Sequence, residues 1–418
     1  MVLLNLGSWG GFQFYQKRFA AAILLTSGTL AWFFLLQYNI SDMFLNSSNP
    51  ILGYVNPFVF YGFAATSAIG GIMVRGKVDN RVFLLSWIAL GVLSTILLPI
   101  FQQTEFMPFL SILLGLSLGL GLPSSIASIA DRTSLEERGR VSGVTIFVTF
   151  GLAILVMISA EIFSLELSTL MLLFALVRSS SFLAFLLDKF DGKNKVEQGT
   201  VRRPDHGKDF YYYIIPWLMF ILVGMLAWNL IPPGTYSSAV STGQVLRFIC
   251  IAVFGFVSGV AADRFGRKPS VIIGLVILGI SLGVLGYAIS ELTVITYLTA
   301  SGITWGAFLA TYLAIPGDLS VCGSREKYYA LIIGLPLILL GSVPFIPGLA
   351  GFTMYSSSFS QILSLILFLS IVPVLRAKET LPERSIGERR LREHIKKVGE
   401  LVEETEKAAE RKMKKPAE

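Results

Sequence analysis

Residues 259–268 read GVAADRFGRK and separate two apolar runs, each long enough to cross a bilayer. A short charged turn in that setting is a hairpin between membrane helices. Glycine at a helix end lets two backbones approach closely, while Asp263, Arg264, Arg267 and Lys268 stand at the water boundary, where charges pair or face anionic headgroups.

The rest of the chain has the same character. Of its 418 residues 54% are hydrophobic and 15% charged, and the mean hydropathy is +0.69, far from the makeup of a soluble domain. The sequence is that of a polytopic membrane protein. Spans of about 20 apolar residues fall near 19–38, 57–75, 82–101, 108–130, 141–161 and 168–187. After a polar stretch they resume near 211–231, 240–262, 270–290, 293–315, 328–350 and 358–375. The expected plan is all-α, with twelve transmembrane helices. It comprises an N-terminal six-helix bundle over 1–187, a linker over 188–209, a second bundle over 210–376 and a charged tail over 377–418.

Lysine and arginine are retained on the cytoplasmic side of a membrane, and here all but two of the 34 lie at the N-terminus, in alternate loops or in the tail. Both termini are therefore expected in the cytoplasm, with the plasma membrane as the setting. The net charge of +7 is a topology and lipid-contact signal, and no nucleic-acid partner is expected.

The two halves read as copies of one unit. Asp131 is followed by Arg138 and Arg140, and Asp318 by Arg325 and Lys327, at a common offset of 187 residues. Residues 71–81, GIMVRGKVDNR, align with the 259–268 hairpin at nearly the same offset, with Arg75 where the later copy has Asp263 and Asp79 where it has a basic residue.

The 259–268 hairpin resembles the loop motif G-x-x-x-D-R-x-G-R-[KR] of the major facilitator superfamily, matched by Gly259, Asp263, Arg264, Gly266, Arg267 and Lys268. The run 137–143, ERGRVSG, is similar to the loop after helix 4 in that family. The resemblance implies two pseudo-repeated six-helix bundles, a substrate site between them near the midplane, and alternating access. It also implies a latch in which Asp263 meets the start of helix 5 near Arg138 or Arg140. Arg75 and Asp79, facing helix 11 near Arg325, would form its counterpart, weaker or differently wired because the hairpin charges are exchanged, and Asp131 and Asp318 are counted among the latch residues. Helix 4 lacks the family's frequent arginine and helix 5 its Gly-Pro antiporter pattern, which weakens a proton-coupled drug exporter.

No catalytic constellation is visible. His206 and His394 lie in the linker and tail, Cys250 and Cys322 have no metal-ligand spacing, and no nucleophile motif or phosphate loop occurs. The expectation is no enzyme, no cofactor and no metal. Arg178 stands mid-span, where a charge costs about 2.5–3.5 kcal/mol on insertion scales. It either meets an anionic substrate group or is satisfied by carbonyls and hydroxyls such as Ser179–Ser181. Arg247, two turns into its span, either serves the site or snorkels outward. No carboxylate lies at mid-depth. By the resemblance, helices 1, 4, 7 and 10 line the cavity, which adds Trp32, Gln37, Ser124, Ser125, Ser128, Trp228, Asn229, Thr304, Trp305 and Tyr312 as candidates. Packing is the alternative for each aromatic. The reading is a monomeric carrier of a small solute, with efflux of amphipathic compounds ranked first and an ion gradient as the possible drive. The alternatives are an organic-anion carrier using Arg178 and a non-transporting sensor or scaffold acting through its tail.

Overall fold

The computed structural model describes residues 17–45, 50–101, 106–188, 207–228, 230–231, 234–320, 324–342 and 357–381, with positions 387, 395, 398 and 402 of the tail. Asn229, Cys322, both histidines, most of the linker and most of the tail lie outside the described residues. Within them every regular element is helical. The first half comprises α1 (Lys17–Leu45), α2 (Pro50–Arg75), α3 (Asn80–Phe101), α4 (Met107–Gly119), α5 (Leu122–Arg132), α6 (Arg138–Phe163), α7 (Leu167–Ser179) and the short α8 (Ala184–Leu187). The second comprises α9 (Gly207–Trp228), α10 (Ser237–Phe265), α11 (Arg267–Tyr287), α12 (Glu291–Leu319), α13 (Arg325–Ser342), α14 (Ser357–Leu369) and α15 (Ile371–Arg376).

Among the described residues eleven helical stretches are long and apolar enough to span a bilayer. The chain is a multi-pass membrane protein. The twelfth expected span is α13, whose 18 described residues end before the proline- and glycine-rich continuation, 343–350, which lies outside the described part. Two spans are interrupted for local reasons. The fourth breaks between α4 and α5, where Pro123, lacking an N–H, sits at a helix start and Gly121 packs on the Trp87 ring. The sixth tightens into a 3-10 turn at Ser180–Leu183. There the hydroxyls of Ser179 and Ser180 donate to the carbonyls of Leu176 and Val177 and compete with the backbone ladder.

Buried apolar side chains form two main cores. One is centred on Leu25, Trp87, Leu114 and Phe174, the other on Phe220, Val271, Leu282 and Tyr297. Between the halves α6 packs on α10 and α2 on α13. The first seam is glycine-lined: a Cβ on Gly259 would lie 2.8 Å from the Cα of Gly143. Only glycine at such positions permits so close a crossing, which brings the hairpin and the start of α6 together.

Candidate functional site

The close crossing of α6 and α10 sets a charged cluster at the hairpin end of the molecule. Asp263 accepts hydrogen bonds from the backbone N–H groups of Gly139 (2.9 Å) and Arg140 (2.7 Å), and from the Arg140 side chain at 3.2 Å. A carboxylate there neutralises the orphan donors at the N-terminus of α6. Arg267 donates to Asp263 at 2.6 Å, to Asp318 at 3.0 Å and to the Leu135 carbonyl at 2.9 Å. Arg138 donates to the other oxygen of Asp318 at 2.6 Å, and to the carbonyls of Ala130 and Thr133. Asp318 thus joins an arginine of each half. The Arg138, Asp318 and Arg267 side chains are fully buried.

The segment after the last span is stapled to this cluster. Gly266, at φ +106°, turns the chain between α10 and α11 in a conformation that disfavours any side chain. The Glu379 carboxylate accepts from the N–H groups of Arg267 and Lys268 that begin α11, and Thr380 donates to Asp318 at 3.0 Å. The Lys268 ammonium caps the carbonyls of Leu375 and Ala377. Arg264 is half-buried at the end of α10.

The counterpart is wired differently. Arg325 donates to Asp131 at 2.6 Å, repeating the Arg138–Asp318 bond across the internal repeat. Arg75 pairs with Glu326 and donates to Asn80, while Asp79 accepts from the Val82 N–H at the start of α3. Where Asp263 reads the first turn of α6, the matching residue here is Arg75, whose opposite charge faces the Glu326 side chain in the first turn of α13.

Beyond the latch, α1, α2, α4, α5, α9, α10, α12 and α13 enclose a cavity of about 520 Å³, the size of pockets that take drug-sized ligands. Its lining runs from Tyr329, near the latch, to Gln37 and Trp228 at the far end, and is mostly apolar and aromatic. One wall is an aromatic cluster in which Trp217 stacks on Tyr312 (4.8 Å between centroids) and Phe220 meets Trp305 (4.8 Å). Three polar ends of the lining are spent on backbone carbonyls. The Trp217 indole donates to Ile332, the Tyr312 hydroxyl to Tyr213 and the Tyr329 hydroxyl to Leu313. Arg247 is the one charged side chain among the described lining residues.

The structure divides the sequence candidates. Gln37, Trp228, Arg247, Trp305 and Tyr312 line the cavity. Arg178 does not. It is fully buried inside the first bundle, its guanidinium 4.1 Å from the Trp87 ring centroid and 5.2 Å from that of Trp32. It donates to the Thr29 hydroxyl and, at 3.5 Å, to the Trp87 and Ser117 carbonyls. Ring faces and carbonyls stand in for the counterion, and cation–π contacts of this desolvated kind are worth about 2 kcal/mol or more. Trp32 likewise points into the bundle and donates to Thr95. Ser125 pairs with Thr26, Ser128 donates to the Ser125 carbonyl, Thr304 donates to the carbonyls of Gly274 and Ala300, and Ser124 is buried. Glu326, Glu379 and Thr380 carry no sequence signal of their own, since only the tertiary fold brings them to the latch.

No protein-family model matches the sequence, and no curated protein matches it. Solved structures do match the fold. The chain is similar to the human organic anion transporter MFSD10 (TETRAN), with TM-score 0.64 and 14% identity, over 86% of this chain and 99% of that one. It is also similar to the major facilitator superfamily proton:xylose symporter XylE bound to 6-bromo-6-deoxy-D-glucose, with TM-score 0.64 and 15% identity, over 87% and 96%. The chain has the major facilitator fold, two six-helix bundles facing each other across a central cavity.

Proposed function

We propose that this protein is a transporter that moves a small amphipathic solute across a membrane by alternating access. The observation that carries the reading is Asp318, buried between Arg138 of one half and Arg267 of the other. It shuts one end of a cavity formed jointly by both halves. A central cavity with one gate held by ion pairs that a rocking motion would break is the arrangement alternating access requires. The apolar, aromatic lining favours amphipathic solutes over sugars, which need many free hydrogen-bonding groups. The names of the structural neighbours support transport of small molecules without selecting one. The basic latch end belongs on the cytoplasmic side by the charge bias, which puts both termini in the cytoplasm of a plasma-membrane carrier acting as a monomer. The test is flux in liposomes. A labelled amphipathic solute should enter faster and saturably with the protein present, and a bulky thiol reagent on Leu309→Cys, in the cavity wall, should stop it. Should no solute of a broad panel outpace empty liposomes, and tail deletion alone abolish the cellular role, the protein acts as a sensor.

A further inference from the structure

We infer that Arg247 is an anion-recognition residue and that the cavity takes a flat, aromatic or hydrophobic organic monoanion, whose carboxylate or sulfonate supplies the counterion that the described lining residues do not. The inference rests on the transporter reading and names its substrate class.

Four observations converge on Arg247. It lies on the cavity wall, ten residues into α10, well inside the span. Its Nε, like that of Arg178, is buried with no hydrogen-bond partner, but among the described residues its terminal nitrogens also make no hydrogen bond, as those of Arg178 do. Its guanidinium faces the Trp305 ring, 6.0 Å from the centroid, at the outer limit of a cation–π interaction, with the buried Tyr297 phenol also near it. No carboxylate appears among the described residues that line the cavity with it, and Glu161, near the end of α6, is exposed.

Arg178 shows what this chain does when a buried arginine is structural. There two indole rings, a hydroxyl and two carbonyls converge on the guanidinium. Around Arg247 the described residues supply much less, one indole ring at 6.0 Å and no hydroxyl or carbonyl hydrogen bond, although desolvation penalises an uncompensated charge in either place. The asymmetry has a direct explanation if the partner arrives from outside. A guanidinium presents a planar fork that matches the two oxygens of a carboxylate or sulfonate, and an ammonium does not.

The rest of the cavity describes the rest of the ligand. Phe33, Phe34, Trp217, Trp228 and Trp305 offer ring faces and edges, while the Trp217, Tyr312 and Tyr329 polar groups are occupied by backbone carbonyls. A polyhydroxylated body would find few free partners and strand its own hydroxyls. A hydrophobic body with one anionic end places each part against a matching surface.

Two probes that differ in charge and little else decide the question: 2-naphthoate and its neutral amide, 2-naphthamide. Binding to the purified full-length protein is read by thermal shift and by calorimetry. Naphthoate should stabilise the protein and naphthamide should bind about thirtyfold or more weakly, the loss expected when one partner of a buried charge pair is removed. Arg247→Gln should erase the preference for naphthoate, and Arg247→Lys should restore part of it. Equal binding of the two probes to the unaltered protein overturns the inference, as does naphthoate binding that survives Arg247→Gln. The probe comparison needs no variant, so the inference stays open to refutation even if Arg247→Gln does not fold. Naphthoate flux in liposomes separates the two claims. Arg247-dependent binding with no flux refutes transport and keeps the anion site, while flux of a neutral solute without naphthoate binding does the reverse.

Discussion

The two copies of the internal repeat pair their charges at one end of the molecule with different chemistry. At the 259–268 hairpin, Asp263 reads backbone: it accepts from two N–H groups at the start of α6 and is 1% exposed. At the matching hairpin, Arg75 cannot accept a hydrogen bond, and its partner is the Glu326 side chain, with exposures of 22% and 15%. A contact with main-chain donors needs no charge on the partner helix but does need Gly139, where a Cβ would sit 2.6 Å from the Asp263 carboxylate, whereas Arg75 is matched by an acid that faces it. The exchange of charge at position 75 is thus matched by an acid at 326, where the other half has Gly139. Depth differs as well. Asp318 is fully buried between two arginines, while Asp131, 12% exposed, is bound by Arg325. The first cluster should carry most of the energy that holds this end shut. The second should act as a weaker, solvent-edge contact.

Substitutions that weaken one cluster and spare the other test this asymmetry. Asp318→Asn has the largest expected effect, because it leaves Arg138 and Arg267 buried without their shared carboxylate. About 3–5 kcal/mol of preference for the closed latch should go, seen as new accessibility of cysteines placed beside the latch. Asp263→Asn keeps an acceptor but loses charge at the α6 N-terminus. It should shift the protein toward the conformation open at the latch by about 1.5–3 kcal/mol. Unchanged labelling of the inner gate in that variant would contradict the assigned role. Asp131→Asn, the repeat-related counterpart of Asp318→Asn, should cost less, about 1–2 kcal/mol, since one arginine is released at a site nearer solvent. The smallest effect belongs to Arg75 and Glu326. Each single reversal, Arg75→Glu or Glu326→Arg, should cost about 0.2–1 kcal/mol, and the double exchange should recover it in a double-mutant cycle. A cost for Arg75→Glu as large as that for Asp318→Asn would remove the asymmetry.

Much of this charged cluster was legible in the sequence. The hairpin spacing and the 187-residue repeat of Asp131 and Arg138 in Asp318 and Arg325 place the groups at one end of the molecule. The exchanged charges at 75 and 79 mark the divergent hairpin. Partner choice was less accessible. Asp263 meets Gly139 and Arg140, but Arg138, one residue away, turns to Asp318. Successive helix residues point about 100° apart, so neighbours in sequence serve different partners. The same geometry separates the two intramembrane arginines. Hydropathy gives the depth of Arg178 and Arg247 but not the side of the helix they occupy. Only packing shows that Arg178 enters a bundle core with Trp32 and Trp87, while Arg247 faces the cavity. Glu379 and Thr380 follow the last span in an otherwise ordinary charged stretch, and their role at the start of α11 depends on contacts more than 60 residues apart in sequence.

The most direct test of the central claim follows two distances at once. Spin labels at Glu136→Cys and Lys327→Cys report the latch end, and labels at Phe106→Cys and Glu291→Cys report the opposite end, with Cys250 and Cys322 replaced by serine. All four labelled positions are exposed. Alternating access held by the Asp318 cluster requires that Asp318→Asn lengthen the first distance and shorten the second. Two unchanged distances, or two that lengthen together, would show that the cluster holds the bundles together without governing which end of the cavity is open.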